Sequence, residues 1–208
     1  TWDNLSKKIK DMPEGAWIPQ IVPSVHSAAE AFVIVNNYRK DDWTPLLYHT
    51  TDFGKSWQNL VEGNKVWGYT LSVVQDPVTP DLLFLGTEFG RYFSLDKGQN
   101  WTKWGETYPT VSTIDMKIHP REHDLIIGTF GRAAYIIDDI RPVRDLAMNS
   151  RDGKLNGLKL FEPPVAYLSA RQQASGSRFA GYGIFAGENR RSGGSITYYL
   201  ESLKMDTV

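Results

Sequence analysis

The sequence predicts an all-β protein made of repeated short strands, and three observations support that fold class. The chain has 208 residues with 18 glycines and 11 prolines, and many of these lie in dipeptides typical of turns. Aromatic residues make up 12% of the chain, and aromatic side chains are enriched in strands. A motif with Asp, Gly and Trp at fixed positions occurs twice, which indicates an internal repeat.

Composition excludes several classes of protein. Lysine and arginine total 23 against 24 acidic residues, a formal net charge of −1, so a generally basic nucleic-acid-binding protein is excluded. The sequence contains no apolar run of the ~18 residues that a membrane span requires, and its first ten residues lack the apolar core of a signal peptide. Cysteine is absent, which excludes thiol nucleophiles, disulfides and thiolate metal sites.

The repeated motif has the pattern [ST]-x-D-x-G-x-x-W. It occupies residues 50–57 (TTDFGKSW) and residues 94–101 (SLDKGQNW), an offset of 44 residues. A second pair of similar segments, 81–91 and 124–132, has an offset of 43 residues. Both offsets fall within the roughly 40–50 residues of a four-stranded propeller blade.

The repeats predict about three four-stranded blades of a partial β-propeller, at residues 17–60, 66–104 and 110–140. The last blade lacks the motif and an outer strand. We therefore predict that residues 1–140 are the terminal blades of a propeller. Residues 141–164, with three prolines, are predicted as a linker, and residues 165–208 as the start of a β-sandwich-like domain with a strand at 195–200.

Two details of the first blade complete this prediction. The strands predicted at 31–35 and 45–49 are joined by a long polar hairpin loop, Asn36 to Thr44. The segment Trp2–Leu5 matches Trp57–Leu60, so the chain is expected to begin inside a repeat and to be a fragment of a larger protein. The rest of that parent propeller is then the first expected partner.

The residue types of the motif suit a turn between antiparallel strands. The aspartate can accept backbone N–H groups across the turn, the glycine supplies a positive φ, the hydroxyl adds a local hydrogen bond, and the tryptophan buries apolar area. We therefore predict a structural role for eight residues: Thr50, Asp52, Gly54, Trp57, Ser94, Asp96, Gly98 and Trp101.

These residues resemble the Asp-box (BNR) repeat propellers, which include sialidases, xyloglucanases and sortilin-type receptors. The resemblance is carried by Tyr48–Trp57, Leu82–Asp96 and Ile118–Ile140, and it is strongest to sortilin-like BNR-repeat proteins of the large bacterial type often named glycosyl hydrolases. It implies a secreted or periplasmic parent protein. The Arg-Ile-Pro motif of sialidases is absent from this chain.

The strand order of such blades places the motif at one rim and the binding loops at the opposite rim. Aromatic and charged side chains in those loops suit a sugar or a peptide. The alternative is that the rings fill space between blades. Arg91 and Arg132 are predicted to occupy equivalent repeat positions. The candidate ligand-binding residues are Trp43, Trp67, Tyr69, Arg91, Tyr108 and Arg132.

The resulting functional hypothesis is an extracytoplasmic propeller module that binds a glycan or a peptide, or serves as a scaffold. The alternative is a fragment of a glycoside hydrolase, for which two carboxylates must flank the scissile bond. The candidate acids are Glu88, Glu106 and Asp115. We predict no cofactor and no metal, because the H-x-x-E-H sequence at His119–His123 lies between predicted strands rather than on a helix. Open blade edges predict self-association.

Overall fold

The computed structural model describes residues 4–61, 66–105, 108–150, 157–166 and 193–201. They fall in two compact units, Thr1–Leu155 and Asn156–Val208. Within the described ranges, no helix has the length and apolar character needed to cross a membrane.

The first unit contains three antiparallel sheets in which each strand pairs with the next one along the chain. This arrangement confirms the predicted partial propeller, and the third sheet has three described strands. The strands of the first sheet are β1 (Trp17–Pro23), β2 (Ala31–Asn37), β3 (Asp42–Thr50) and β4 (Gln58–Asn59). Those of the second are β5 (Thr70–Gln75), β6 (Leu83–Thr87), β7 (Gly90–Ser94) and β8 (Thr102–Lys103). Those of the third are β9 (Thr113–Ile118), β10 (Leu125–Thr129) and β11 (Ala134–Ile137).

The core lies between the faces of successive sheets. Strand β2 is buried on both faces: Phe32 and Ile34 pack towards the second sheet, whereas Val33 and Val35 pack against the segment that precedes β1. Alternate residues of a strand point to opposite faces. The uninterrupted apolar run in β2 therefore follows from its burial on both sides.

The sheets repeat in register as well as in order. Tyr48, Tyr92 and Tyr135 each pair with an apolar residue of the neighbouring strand, at equivalent positions of the three sheets. Tyr92 packs in the cluster between the first and second sheets, and Tyr135 packs against the cluster between the second and third. The repeat predicted from the motif therefore extends to strands of different sequence.

The β2–β3 hairpin differs from the loop predicted for it. The sequence predicts a loop from Asn36 to Thr44, but β2 continues to Asn37 and β3 begins at Asp42. These two residues form a cross-strand pair, and the Asn37 amide donates to the Asp42 carboxylate at 3.2 Å. Asp41 has a φ of +61°, and this left-handed residue closes the tight turn.

Residues 141–164, which the sequence indicates as a linker, contain a helix and a strand. Helix α1 (Arg141–Ser150) has Pro142 in its first turn, where proline is tolerated because the N–H there has no helical partner. Ala147 and Val143 pack into the cluster between the second and third sheets. The three prolines of residues 141–164 favour a linker in the sequence, but Pro142 lies in a helical turn that accommodates it.

The second unit contains an antiparallel pair of short strands, β12 (Leu158–Leu160) and β13 (Tyr198–Leu200). Strand β13 begins three residues later than the strand predicted from Ser195. The ends of the pair are joined by the Glu201 N–H, which donates to the Gly157 carbonyl at 2.9 Å.

Candidate functional site

The strand order gives the first unit two different rims. We call the end that carries residues 50–57 and 94–101 the repeat-turn rim. The other end carries the β2–β3, β6–β7 and β10–β11 turns, and we call it the opposite rim. Both repeat turns lie on the same side of the unit. The segment just before β2 contacts the first turn through the Phe53 N–H, which donates to the Ala29 carbonyl at 3.0 Å. It contacts the second turn through the ion pair of Glu30 with Lys97 at 2.8 Å.

The first repeat turn is organised by the carboxylate of Asp52. Its Oδ1 accepts the N–H groups of Lys55 and Ser56, both at 2.9 Å, and the hydroxyl of Thr50 at 2.9 Å. The Ser56 hydroxyl donates to Oδ2 at 2.6 Å, while the Gly54 N–H donates to the Thr50 hydroxyl at 3.0 Å. The bond from the Ser56 hydroxyl, followed by that from its N–H, lowers the pKa of Asp52 to about 2.

The second repeat turn has the same pattern with different side chains. Asp96 accepts the Ser94 hydroxyl at 2.8 Å and the N–H of Asn100 at 2.8 Å, and the Asn100 amide replaces the Ser56 hydroxyl as donor to Oδ2 at 2.6 Å. Burial alone would raise the pKa of Asp96, but the bonds from Asn100 and Ser94 outweigh it and lower the pKa. Both aspartates are thus fully engaged within their own turns.

The motif glycines contact the preceding segment in both turns, whereas the two motif tryptophans bond differently. The Trp101 indole donates to the carbonyl of Leu60 at 2.9 Å, and the Trp57 indole donates to that of Gly54 at 3.1 Å. A Cβ on Gly98 would lie 2.8 Å from Leu60 Cδ1, and one on Gly54 would lie 2.8 Å from Leu5 Cδ1. Leu5 therefore packs on the first turn as Leu60 packs on the second, in line with the sequence match of the two segments.

A buried ion pair connects the first two sheets at the repeat-turn rim. The Glu30 carboxylate, in a residue only 4% exposed, accepts from Lys97 and from the His49 imidazole, both at 2.8 Å. Burial raises the pKa of Glu30, but the bonds from Lys97, Ser24 and His49 outweigh it and lower the pKa to about 2. The charge is therefore compensated where it is buried.

A second buried ion pair ties helix α1 to the second sheet. Arg144, 4% exposed, donates from Nε to Asp76 Oδ2 at 2.8 Å and from Nη1 to His123 Nδ1 at 2.9 Å. Asp76 also accepts the N–H groups of Val78 and Thr79 at 2.8 and 2.7 Å. The buried charges of Arg144 and Asp76 therefore compensate one another at this end of the unit.

The opposite rim contains a stacked aromatic cluster that joins the β2–β3 hairpin to the segment before β5. The rings of Tyr38 and Tyr69 stack at 4.6 Å between centroids, and Trp43 lies 5.7 Å from Tyr69 and 6.4 Å from Tyr38. The Trp43 side chain is 48% exposed. Two of the predicted ligand-binding residues, Trp43 and Tyr69, are therefore brought together, and the ring of Trp43 faces solvent.

The carboxylate of Glu88, at the β6–β7 turn, belongs to the same region. Its Oε2 is buried and has no hydrogen-bond partner, and burial raises the pKa of Glu88. Burial raises the pKa of Tyr69 as well, and the charge of Glu88 raises it further. Glu88 is thus the candidate acid whose environment departs most clearly from water.

Arg91 and Tyr108, predicted separately, form a second cluster at this rim with Trp104 and Tyr135. The Arg91 guanidinium carbon lies 3.9 Å from the Tyr108 ring centre and 5.3 Å from that of Trp104. Tyr108 meets the ring of Tyr135 edge-on at 5.0 Å, and its hydroxyl is hydrogen-bonded to Thr113 at 2.8 Å. These side chains line a pocket of about 320 Å³.

The predicted equivalence of Arg91 and Arg132 is wrong. Arg91 pairs with Gly86 across strands β6 and β7, and the matching Gly128 of strand β10 pairs with Ala134. The residue equivalent to Arg91 is therefore Ala134. The Gly-Arg dipeptide recurs in the sequence, but the third turn is one residue longer, and it places Arg132 in an exposed turn away from the Arg91 pocket.

The remaining candidates lie apart from the two clusters. The Trp67 side chain is 66% exposed, and the backbone N–H of Trp67 donates to the Tyr92 hydroxyl at 3.1 Å. Asp115 is an exposed residue of β9 whose carboxylate accepts the N–H of Met116. Glu106 falls outside the described residues.

Sequence reasoning missed two contributors to the Arg91 cluster and two exposed rings at this rim. Tyr135 lies 43 residues after Tyr92, an offset equal to that of the repeat, and that offset could have identified it. Phe89 and Phe130 are exposed at equivalent hairpin turns, within the repeated segments already aligned. Trp104 has no comparable signal, because the residue 44 positions before it is Leu60 rather than an aromatic residue.

The H-x-x-E-H sequence forms a turn between β9 and β10. His119 Nδ1 accepts the N–H of Glu122 at 3.0 Å, and His123 Nδ1 faces Arg144. Among the residues that the structure describes, no group of three or more His, Asp or Glu side chains could hold a metal ion.

Comparison with known proteins shows the fold. The chain is similar to a GH74 enzyme from Niastella koreensis, with a TM-score of 0.51 and 16% identity over 59% of this chain and 21% of that chain. YCF48 bound to D1 peptide gives a TM-score of 0.45 with 15% identity over 60% and 38% of the two chains. The GH74 xyloglucanase from Xanthomonas campestris gives 0.42 with 12% identity over 59% and 22%.

The aligned part of this chain spans about a fifth to two fifths of those structures. No protein-family model and no curated protein matches the sequence. With identities this low, the likeness concerns the fold alone. The first unit is a partial β-propeller in which the buried charges described at the repeat-turn rim are paired, whereas Glu88 Oε2 and Arg91 Nε at the opposite rim have no hydrogen-bond partner.

Proposed function

We propose that this chain is a glycan-binding module of a larger Asp-box propeller protein, and that its binding surface is the opposite rim. The stacked cluster of Tyr38, Trp43 and Tyr69 carries the proposal. Its rings present the flat apolar surface on which the C–H face of a sugar ring stacks. The resemblance to secreted Asp-box proteins supports a location outside the cytoplasm.

One further feature favours a sugar over a purely apolar ligand. The Glu88 carboxylate, with Oε2 unpaired, stands beside the cluster, and carboxylates accept hydrogen bonds from sugar hydroxyls. Binding sites commonly combine apolar walls with a few polar groups that fix orientation. A peptide remains the competing ligand, since aromatic rings also hold peptide side chains.

The test compares two exposed aromatic residues, one on each rim. Binding of cello-, xylo-, manno- and galacturono-oligosaccharides is measured by calorimetry for the unaltered chain, for Trp43→Ala and for Phe53→Ala. Phe53 is an exposed ring of the first repeat turn, so it controls for general loss of aromatic surface. We expect Trp43→Ala to weaken binding at least tenfold and Phe53→Ala to leave it unchanged.

Two results would contradict the proposal. One is the absence of binding to every oligosaccharide while a peptide library yields ligands that depend on Trp43. The other is an equal loss in both variants, which would indicate non-specific adhesion to exposed rings.

Glycoside hydrolysis is a second candidate, favoured by the raised pKa of Glu88. A carboxyl group whose pKa is raised by burial is the kind of group that serves as the general acid of a glycosidase. Such hydrolysis also requires a second carboxylate beside the scissile bond. Release of reducing ends that is lost in Glu88→Gln, with sugar binding retained, would establish this activity; release that is unchanged in this variant would exclude Glu88 as the acid.

A further inference from the structure

Arg91 is a buried cation for which the described residues provide no matching negative charge. Its side chain belongs to a residue only 7% exposed, its Nε has no hydrogen-bond partner, and none of the described carboxylates forms an ion pair with it. Burial lowers the pKa of Arg91. A buried cation is ordinarily paired, because its removal from water is costly.

Two aromatic rings fix the orientation of the Arg91 guanidinium, and neither ring carries a negative charge that would balance it. The guanidinium lies over the Tyr108 ring at 3.9 Å and beside Trp104 at 5.3 Å. Such stacking occupies the face of the guanidinium plane. The N–H donors point outward in that plane. Arg91 also hydrogen-bonds to the Tyr108 side chain, but its Nε has no partner, so this edge of the guanidinium can still donate to an acceptor.

The pocket beside Arg91 has room for one ligand group. It measures about 320 Å³ and is walled by Trp104, Tyr108, Tyr135 and the β11 residues Ile136 and Ile137. It opens near the hairpin turns of the opposite rim, because Arg91 is the second residue of β7 and Tyr135 the second residue of β11. A buried cation that lines an open pocket, with no ion-pair partner among the described residues, favours the binding of an anion there.

We propose that this pocket binds the carboxylate of an acidic sugar, a uronate residue of the glycan. The planar fork of Arg91 matches the two oxygens of a carboxylate, while the aromatic walls suit the C–H face of a pyranose ring. A single cation balances a single carboxylate charge, whereas a phosphate dianion would be left under-compensated. This proposal rests on the glycan-binding function above and names the chemical class of its ligand.

The experiment uses pairs of ligands that differ only at the carboxyl group. Oligosaccharides of galacturonate, mannuronate and glucuronate are each compared with the carboxyl-reduced neutral form by calorimetry on the 208-residue chain. We expect at least one uronate to bind ten times or more tighter than its reduced counterpart. This comparison needs no variant, so it stands even where a substitution impairs folding.

Variants then assign the preference to the pocket. Arg91→Met should abolish the preference for the uronate while binding of the reduced sugar changes little, and Arg91→Lys should retain only part of it because the fork is lost. Arg121→Met removes the same charge from an exposed residue of the repeat-turn rim and should retain the full preference. Thermal melts of each variant report its folding.

The outcomes separate this inference from the function it rests on. Equal binding of uronate and reduced sugar, with both dependent on Trp43, would overturn the carboxylate site and leave the glycan-binding proposal standing. An unchanged preference in Arg91→Met, or an equal loss in Arg121→Met, would also overturn it. Binding of neither ligand would overturn both proposals.

Discussion

The two rims of the propeller unit both contain buried charged side chains, but these are paired at one rim and lack hydrogen-bond partners at the other. At the repeat-turn rim, Arg144 faces Asp76 at 2.8 Å, and Glu30 faces Lys97 at 2.8 Å. At the opposite rim, Arg91 Nε and Glu88 Oε2 are buried without a hydrogen bond. They are the two charged side chains among the described buried polar groups that lack a partner at such an atom.

This difference supports the proposal that the repeat-turn rim contributes stability and the opposite rim binds a ligand. Paired buried charges hold elements together, and removing one partner leaves the other uncompensated. Unpaired buried charges cost stability, and a ligand that supplies the missing partner recovers that cost on binding. Comparing equivalent substitutions on the two rims therefore tests both interpretations together.

The largest contrast is expected between the two buried arginines. Arg144→Met leaves Asp76 buried with only its backbone donors, so we expect a loss of about 3–5 kcal/mol in the free energy of unfolding. Arg91→Met leaves no described carboxylate uncompensated. It exchanges the cation–π contacts for relief of the buried charge, so its effect should stay within about 1 kcal/mol. Urea unfolding followed by tryptophan fluorescence measures both.

Because both substitutions remove one positive charge and leave an unbranched side chain, each is the control for the other. Equal destabilisation would show that Arg91 is as structural as Arg144, and the distinction between the rims would fail at this pair.

The two glutamates should differ in pH dependence as well as in size of effect. The pKa of Glu30 falls from 4.5 to about 2 in the folded chain, so its stabilisation is full above pH ~5.5 and is lost as the pH falls from about 4.5 towards 2. Glu30→Gln should cost about 3 kcal/mol at pH 7 and flatten that acid decline. The pKa of Glu88 is raised instead, so Glu88→Gln should change stability by less than about 1 kcal/mol and in the stabilising direction.

Urea unfolding midpoints from pH 2 to pH 7 measure both glutamate variants. A steep acid decline that persists in Glu30→Gln would show that other carboxylates carry it, Asp52 being the first candidate since its pKa is also about 2. A clear loss of stability in Glu88→Gln at pH 7 would mean that this carboxylate has a stabilising partner.

The repeat, and with it the sheets, could be predicted from the sequence because the motif is local. Thr50, Asp52 and Gly54 bond to one another within a few residues, so the turn they form can be predicted from their spacing in the sequence. The offset between two such turns then set the bounds of the first two sheets to within a few residues.

The charge pairs and the Arg91 pocket could not be predicted in this way. Asp76 and Arg144 are 68 residues apart, and nothing near either residue specifies the other. The pocket combines a strand, a loop and the next sheet, and alignment by the Gly-Arg dipeptide pointed to Arg132 instead of Ala134. Helix α1 was missed because Pro142, at its first turn, has the same appearance in sequence as a proline in a linker.

The smallest contrast concerns two glycines with one backbone conformation and different neighbours. Gly98 in the second repeat turn and Gly131 in the β10–β11 turn both have a φ of +86°, so an alanine at either position is strained by about 1–2 kcal/mol. A Cβ on Gly98 would also lie 2.8 Å from Leu60 Cδ1, whereas one on Gly131 would meet nothing within 4 Å. We expect Gly98→Ala to cost about 1 kcal/mol more than Gly131→Ala in urea unfolding. The difference isolates the packing of Leu60 on the turn from the conformational strain that both variants share. If the two costs are equal, Leu60 moves aside freely, and the repeat turns would owe their rigidity to the aspartate network alone.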